Sequence, residues 1–223
     1  MLATLVIESV LAVYTIWRYR LNQVSRLVVL MLLGLLTFQL AEYHVCTANG
    51  GAVSWSRLGF IAITILPAVG IHLMHSLAGK KIGRLVYAIY AAMAAFMAFF
   101  LTAHVFTGYQ CTGNYVIFQF SSTVTGAYSV YYFGLLALGM ILGWHWGNEL
   151  AREGKKFRAK RQAVRGLIAG YLVFLVPVAV ANTVRPQTQD GIPSIMCGFA
   201  VLLAFVMVGY ILPRAGKLRQ WTS

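Results

Sequence analysis

The chain has 223 residues, of which 60% are apolar and only 10% carry a formal charge. Soluble domains average roughly 45–50% apolar and about 25% charged residues, so this composition excludes a soluble globular protein. The net charge is +13. In a soluble chain that excess would favour a nucleic-acid partner, but in a membrane protein its meaning depends on where the basic residues lie.

Seven apolar stretches follow one another along the chain, each close to the ~20 residues that cross a hydrocarbon core as a helix. We predict spans at 1–17, 27–46, 58–78, 85–107, 126–146, 166–184 and 194–212. All seven are predicted to be helices, because an open sheet cannot satisfy its backbone in lipid. Since no linker or repeat divides the chain, we expect residues 1–223 to form one all-α bundle of seven transmembrane helices.

The basic residues fall almost entirely on one side of these spans. Of the 18 lysines and arginines, only Arg57 and Arg185 lie in the segments predicted for the opposite side. By the positive-inside rule the N-terminus is outside and the C-terminus is cytoplasmic. The excess charge is therefore explained by topology and by contact with an anionic inner leaflet, and we expect no nucleic-acid partner.

Polar residues cluster in the outer half of the predicted bundle. Glu8 lies within the first span, and Gln39 and Glu42 share one face of the second at i, i+3 spacing. Three further polar residues lie at the outer mouths of the third and sixth spans: Arg57, Asn182 and Arg185. Because charge inside a membrane is expensive, these six are our candidate ligand-binding residues. An ionic lock between a glutamate and an arginine, or a proton relay, are the alternatives.

Histidines mark the inner half. His72 and His75 share a face of the third span, and His145 lies near Glu149 at the inner end of the fifth. Three imidazoles and a carboxylate are typical ligands of a catalytic metal, so His72, His75 and His145 form a candidate metal site. The alternative is packing at the headgroup interface, where histidines beside tryptophans are common.

Two cysteines are placed on the outer side. Cys46 ends the second span and Cys111 lies in the loop after the fourth. The outer side of a bacterial inner membrane is oxidising, so we predict a Cys46–Cys111 disulfide. A zinc site with His44 and His104, or two free thiols, are the alternatives. Cys197 is predicted to be a small core residue.

The longest outer loop is rich in β-forming residues. A turn signal at 112–114 precedes the aromatic and branched residues of 115–120, which predicts a short strand or hairpin over the outer mouth. Such a hairpin could cover a pocket or present an edge to another chain.

Catalytic signatures are missing from the sequence. It contains no nucleophile elbow, phosphate loop, dinucleotide fingerprint or zincin motif. No lysine lies inside a predicted span, which argues against a retinal pigment. We therefore expect a protein without a cofactor, and these absences favour a non-enzymatic role over an enzymatic one.

Several stretches resemble the seven-helix N-terminal sensory region of bacterial histidine kinases. They are Trp55-x-Arg57-Leu58-x-Phe60 with Pro67 and Gly79, residues 115–132, Lys160-Arg161-Gln162-x-x-x-Arg165-Gly166-x-x-x-Gly170, and Asp190-x-Ile192-Pro193. The resemblance implies a sensory module in a bacterial inner membrane. Only about ten residues follow the seventh span, so we expect no output domain in this chain.

These observations favour a sensor-like or accessory membrane protein. We expect it to bind a small ligand or a partner membrane protein through its outer half and to act on a separate signalling protein. The rival hypothesis is a metal-dependent membrane hydrolase that uses the inner histidines.

Overall fold

The computed structural model describes residues 2–47, 51–102, 106–112, 115–120, 122–184 and 191–218. These residues form seven helical rods and one β-hairpin. The elements in chain order are α1 (Leu2–Arg18), α2 (Gln23–Thr47), α3 (Ala52–Ala78), α4 (Arg84–Thr102), β1 (Phe106–Cys111), β2 (Val116–Phe120), α5 (Ser122–Arg152), α6 (Arg158–Val184), α7 (Ile192–Phe205) and α8 (Leu212–Leu218). A π-helical turn, Val206–Ile211, joins α7 to α8, so the last two helices form one rod.

Six of the rods are long and apolar enough to cross a membrane. They are α2 to α6 and the rod that contains α7, and they make this a multi-pass membrane protein. α1 has 17 described residues and is slightly shorter. It turns Val10, Val13 and Trp17 outward, with exposures of 61%, 67% and 81%, while Glu8, Ala12 and Thr15 face the protein. An apolar outer face of this kind suits lipid.

α3 is the central helix and the most buried of the six, whereas α4 is peripheral and the least buried. α3 packs most extensively against α2 and also contacts α4, α5 and α6. It continues through Pro67, which cannot donate a backbone hydrogen bond. The Tyr131 hydroxyl of α5 donates to the Thr64 carbonyl at 2.8 Å close to this proline. Neighbouring helices commonly satisfy backbone groups near a proline in this way.

The two ends of the bundle differ in their contents. The hairpin end holds the β-hairpin, the C-terminus of α2 and the N-termini of α3 and α7, which are linked by the Cys46–Cys111 disulfide and by contact of His44 with Trp55. The basic end holds the C-termini of α3 and α5 and the N-terminus of α6. There Lys80 pairs with Glu149 at 2.6 Å, and Gly79 ends α3 in a left-handed conformation beside Lys160.

The structure corrects several predicted boundaries. The fourth span was predicted to reach residue 107, but α4 ends at Thr102 and Phe106 already begins β1. α5 is longer than the apolar stretch that predicted it, because its last turns are polar and extend to Arg152. The predicted hairpin in the loop before α5 is confirmed: β1 and β2 pair antiparallel, so one small sheet accompanies the helices.

Candidate functional site

The hairpin is fastened to the helices near its turn. Cys111 of β1 forms the predicted disulfide with Cys46 of α2, with the two Cα atoms 5.9 Å apart. Val116, which pairs with Cys111 across the hairpin, donates its backbone N–H to the Ser194 hydroxyl oxygen of α7 at 3.0 Å. The disulfide and the hydrogen bond therefore involve the same cross-strand residue pair, and they attach the hairpin to α2 and α7.

A cluster of aromatic rings lies beneath the hairpin. Phe60 of α3 is 1% exposed and stands at its centre, with ring-centroid distances of 5.1 Å to Phe118, 5.4 Å to Phe100 and 5.9 Å to Tyr128. Edge-on and tilted contacts at these distances are the favourable geometry for aromatic pairs. The cluster joins the hairpin to α3, α4 and α5.

A cavity of about 400 Å³ lies beside this cluster. Its walls come from the hairpin and from α3, α4, α5 and α7. The described lining residues are Phe60, Ile63, Phe100, Gln110, Ile117, Phe118, Gln119, Val124, Tyr128, Ser129, Tyr132, Phe133, Ile192, Pro193, Met196 and Cys197. Six of them are Phe or Tyr, and none is charged. Small-molecule sites have this size and this mainly apolar lining with a few polar groups.

Three predicted site residues do lie together, but behind the cavity wall. Glu8, Gln39 and Glu42 are 0%, 1% and 1% exposed. The Gln39 amide accepts a hydrogen bond from Thr4 and donates to the Cys197 carbonyl at 3.3 Å. Because the same Cys197 lines the cavity, α7 separates the two regions. Glu8, Gln39 and Glu42 thus form a buried polar cluster.

The remaining predicted ligand-binding residues are placed differently. Arg57 is half-buried near the start of α3, and its buried Nε has no hydrogen-bond partner. The described chain contains no ion pair between Arg57 and a glutamate, so the predicted lock is not formed by this arginine. Asn182 is half-buried near the end of α6. Arg185 lies outside the described residues, and its role stays a prediction.

The inner histidines do not assemble the predicted metal site. His72 bonds through its ring nitrogens to Tyr90 at 2.8 Å and Gln23 at 3.0 Å. His75 contacts Trp146, with ring centroids 4.6 Å apart, and His145 is exposed one turn before Glu149. The described part of the chain has no group of three or more His, Cys, Asp or Glu residues that could hold a metal ion. In this region Glu149 instead binds Lys80.

The cavity could not be predicted from the sequence, because its mainly apolar lining comes from six elements. One signal was available on α5, where Tyr128, Tyr131 and Tyr132 follow i, i+3, i+4 spacing and so share one helix face. Ser194 was also missed. A serine near a helix start gives no sign that its hydroxyl oxygen will accept a hydrogen bond from a strand.

No known protein family and no curated protein matches this sequence.

Proposed function

We propose that this protein is a non-enzymatic, sensor-like protein of a bacterial inner membrane that binds a small ligand in the cavity beneath the hairpin. The cavity itself carries the proposal. Its volume of about 400 Å³ falls within the range of small-molecule sites, which is about 300–1,000 Å³. The disulfide and the Val116–Ser194 hydrogen bond hold the hairpin in place over the cavity.

The lining defines the chemistry of the ligand. Aromatic rings such as Phe60, Phe118 and Tyr128 favour a ligand with a flat ring of its own. The polar groups are the neutral side chains of Gln110, Gln119 and Ser129 together with tyrosine hydroxyls. A buried charge without a partner is costly, so the ligand is an uncharged aromatic molecule with one or two hydrogen-bonding groups.

The charge distribution supports an orientation for this function. With the basic end in the cytoplasm, the hairpin and cavity face the outer side, where a disulfide is stable. Any signal then passes to a separate protein through the lipid-facing surface or the basic end. This second step can be tested by purifying the protein in mild detergent. One defined partner should co-purify with the wild type and be lost from variants with bulkier side chains on the lipid-facing surface.

Ligand binding can be tested with a variant that fills the cavity. Ser129 lines the cavity, whereas its neighbour Val130 is 76% exposed and faces away. Ser129→Phe and Val130→Phe therefore add the same ring inside and outside the site. Neutral aromatic compounds would be screened by thermal unfolding in lipid nanodiscs, since a ligand at 100 times its Kd stabilises the bound protein by about 2.7 kcal/mol.

We expect a compound that raises the unfolding temperature of the wild type and of Val130→Phe, but not of Ser129→Phe. Equal stabilisation of all three proteins would place the compound elsewhere, in lipid or on the surface. Failure of every neutral aromatic compound to stabilise the wild type would contradict the proposed ligand class.

A further inference from the structure

An apolar groove of about 320 Å³ lies between α4 and α5 on the surface of the bundle. Its described lining residues are Ala95, Phe96 and Phe99 of α4 together with Val124 and Ala127 of α5. Ala95, Phe99 and Ala127 are exposed, and both helices are apolar enough to cross a membrane. The α4–α5 groove therefore opens toward the hydrocarbon of the bilayer.

The groove exists because the backbones of α4 and α5 do not pack closely along their described residues. α4 packs along α3, and α5 packs against α3 and α6. α4 and α5 meet through aromatic rings, such as those of Phe96 and Tyr131, whose centroids are 4.8 Å apart. The small side chains of Ala95 and Ala127 leave the space beside these rings open. In a bilayer such an apolar space is filled by a hydrocarbon chain, because the surrounding solvent is itself hydrocarbon.

One layer of side chains separates the groove from the cavity beneath the hairpin. Val124 lines both spaces. Two ring pairs complete the layer, each with one ring in the groove wall and the other in the cavity wall. They are Phe96 with Tyr128, with ring centroids 5.6 Å apart, and Phe99 with Phe100, 5.9 Å apart. Val124 is the smallest of these side chains, so a flexible chain passes most easily beside it.

The two glutamines of the cavity lie on its hairpin side. Gln110 belongs to β1 and Gln119 to β2, whereas the groove has no polar side chain among its described lining residues. The two spaces together therefore offer hydrogen bonds at one end and only apolar contact at the other. This distribution suits an amphiphile whose polar ring points to the hairpin and whose apolar end points into the membrane.

We propose that the cavity binds a lipid-soluble ligand, a neutral aromatic ring that carries a hydrocarbon chain, and that the chain lies in the α4–α5 groove. This inference rests on the proposed function of the cavity and narrows its ligand to molecules dissolved in the bilayer. Because lipid chains are as apolar as the groove walls, the groove does not draw the chain out of water. It gives a chain that is already in the membrane a place beside Val124, with its ring among the aromatic side chains of the cavity.

Two phenols test this proposal: para-cresol, which has no chain, and para-decylphenol, which has one. Thermal unfolding would be measured in lipid nanodiscs at equal membrane concentrations of the two compounds, so that partition into the lipid does not decide the result. We expect both phenols to raise the unfolding temperature of the wild type. The larger shift should come from para-decylphenol, because its chain adds van der Waals contacts in the groove.

Two neighbouring alanines provide a matched pair of variants. Ala95 and Ala94 are both exposed, but only Ala95 is among the described residues that line the groove. In Ala95→Phe the shift from para-decylphenol should fall to the shift that para-cresol gives, and in Ala94→Phe it should stay at the wild-type value. Ala127→Phe fills the groove from α5 and provides the same measurement if Ala95→Phe fails to fold.

The outcomes separate this proposal from the function of the cavity. A larger shift from para-decylphenol that persists in Ala95→Phe and Ala127→Phe would overturn the proposal and leave the groove to an ordinary bilayer lipid, while the cavity would keep its proposed function. Ser129→Phe, which fills the cavity itself, should abolish the shifts from both phenols. If it responds as the wild type does, or if neither phenol stabilises the wild type, both the cavity site and this inference are wrong.

Discussion

At the hairpin end, the elements are joined by a disulfide, a buried hydrogen bond from Val116 to Ser194 and a packed aromatic cluster. At the basic end, they are joined by contacts open to solvent. The side chains of Lys80 and Glu149 are 36% and 40% exposed, and the Gln23–His72 hydrogen bond is also exposed.

The hairpin end is therefore the end whose geometry is fixed by its contacts. Covalent and buried contacts fix relative positions closely, while exposed ion pairs are screened by salt and add little rigidity. In the proposed orientation the positive charge of the basic end faces the cytoplasm, a role that does not require exact contacts. We therefore expect substitutions to cost more stability at the hairpin end than at the basic end.

The largest effect is expected from Phe60→Ala. Phe60 is 1% exposed and contacts rings from the hairpin, α4 and α5. Its removal leaves a cavity among side chains held by the backbone, so we expect a loss of about 3–5 kcal/mol in the free energy of unfolding. Equilibrium unfolding in mixed detergent and dodecyl sulfate measures this loss.

Leu58→Ala is the control for that measurement. Leu58 lies on the same helix but is 41% exposed, so its truncation opens little internal space and we expect a loss below about 1 kcal/mol. Similar losses for both variants would mean that the aromatic cluster is not a packed unit, and the contrast between the two ends would then lose its main support.

The elements at the two ends also differ in how well the sequence predicts them. The helices follow from long apolar stretches, and the disulfide follows from the predicted placement of Cys46 and Cys111 on the outer side. Glu8, Gln39 and Glu42 could be grouped by depth and helix face alone. The cavity could not be predicted, because it depends on how β2 and α7 pack beside Phe60, which no local pattern encodes. The candidate metal site was wrong for a related reason: similar depth along the helices does not bring His72, His75 and His145 together as a metal-binding group.

A second, somewhat smaller effect is expected when the disulfide is removed. Cys46 and Cys111 are 65 residues apart in sequence, so the bond restricts a long segment of the unfolded chain. Cys46→Ala together with Cys111→Ala should lower stability by about 2–4 kcal/mol.

A reducing agent should reproduce most of this loss in the wild type, as measured by thermal unfolding, and should have no further effect on the double variant. A reductant effect that persists in the double variant would show that another thiol is responsible. No loss in either experiment would mean that the remaining contacts of the hairpin are sufficient to hold it.

Gly166→Ala tests the interior of the bundle toward the basic end. A Cβ at Gly166 of α6 would lie 2.7 Å from the Tyr210 ring, and that ring also lies under the Arg214 guanidinium. Either the Tyr210 ring or the last rod must shift to relieve the overlap, and we expect a loss of about 1–3 kcal/mol. Gly134 has open space around its Cβ position, so Gly134→Ala should be neutral or slightly stabilising. Equal effects would show that helix propensity, not close packing, determines the result.

The smallest effect is expected at the Lys80–Glu149 pair. Its short distance of 2.6 Å suggests strength, but both side chains reach solvent, and exposed ion pairs gain little because hydration and side-chain entropy oppose them. A double-mutant cycle with Lys80→Gln and Glu149→Gln isolates the interaction from the separate effects of each substitution. We expect a coupling energy smaller than the loss for any buried contact above, and one that shrinks further as salt is raised. A large, salt-insensitive coupling would instead show that the basic end is also rigidly closed, and the two ends would then differ in chemistry but not in stiffness.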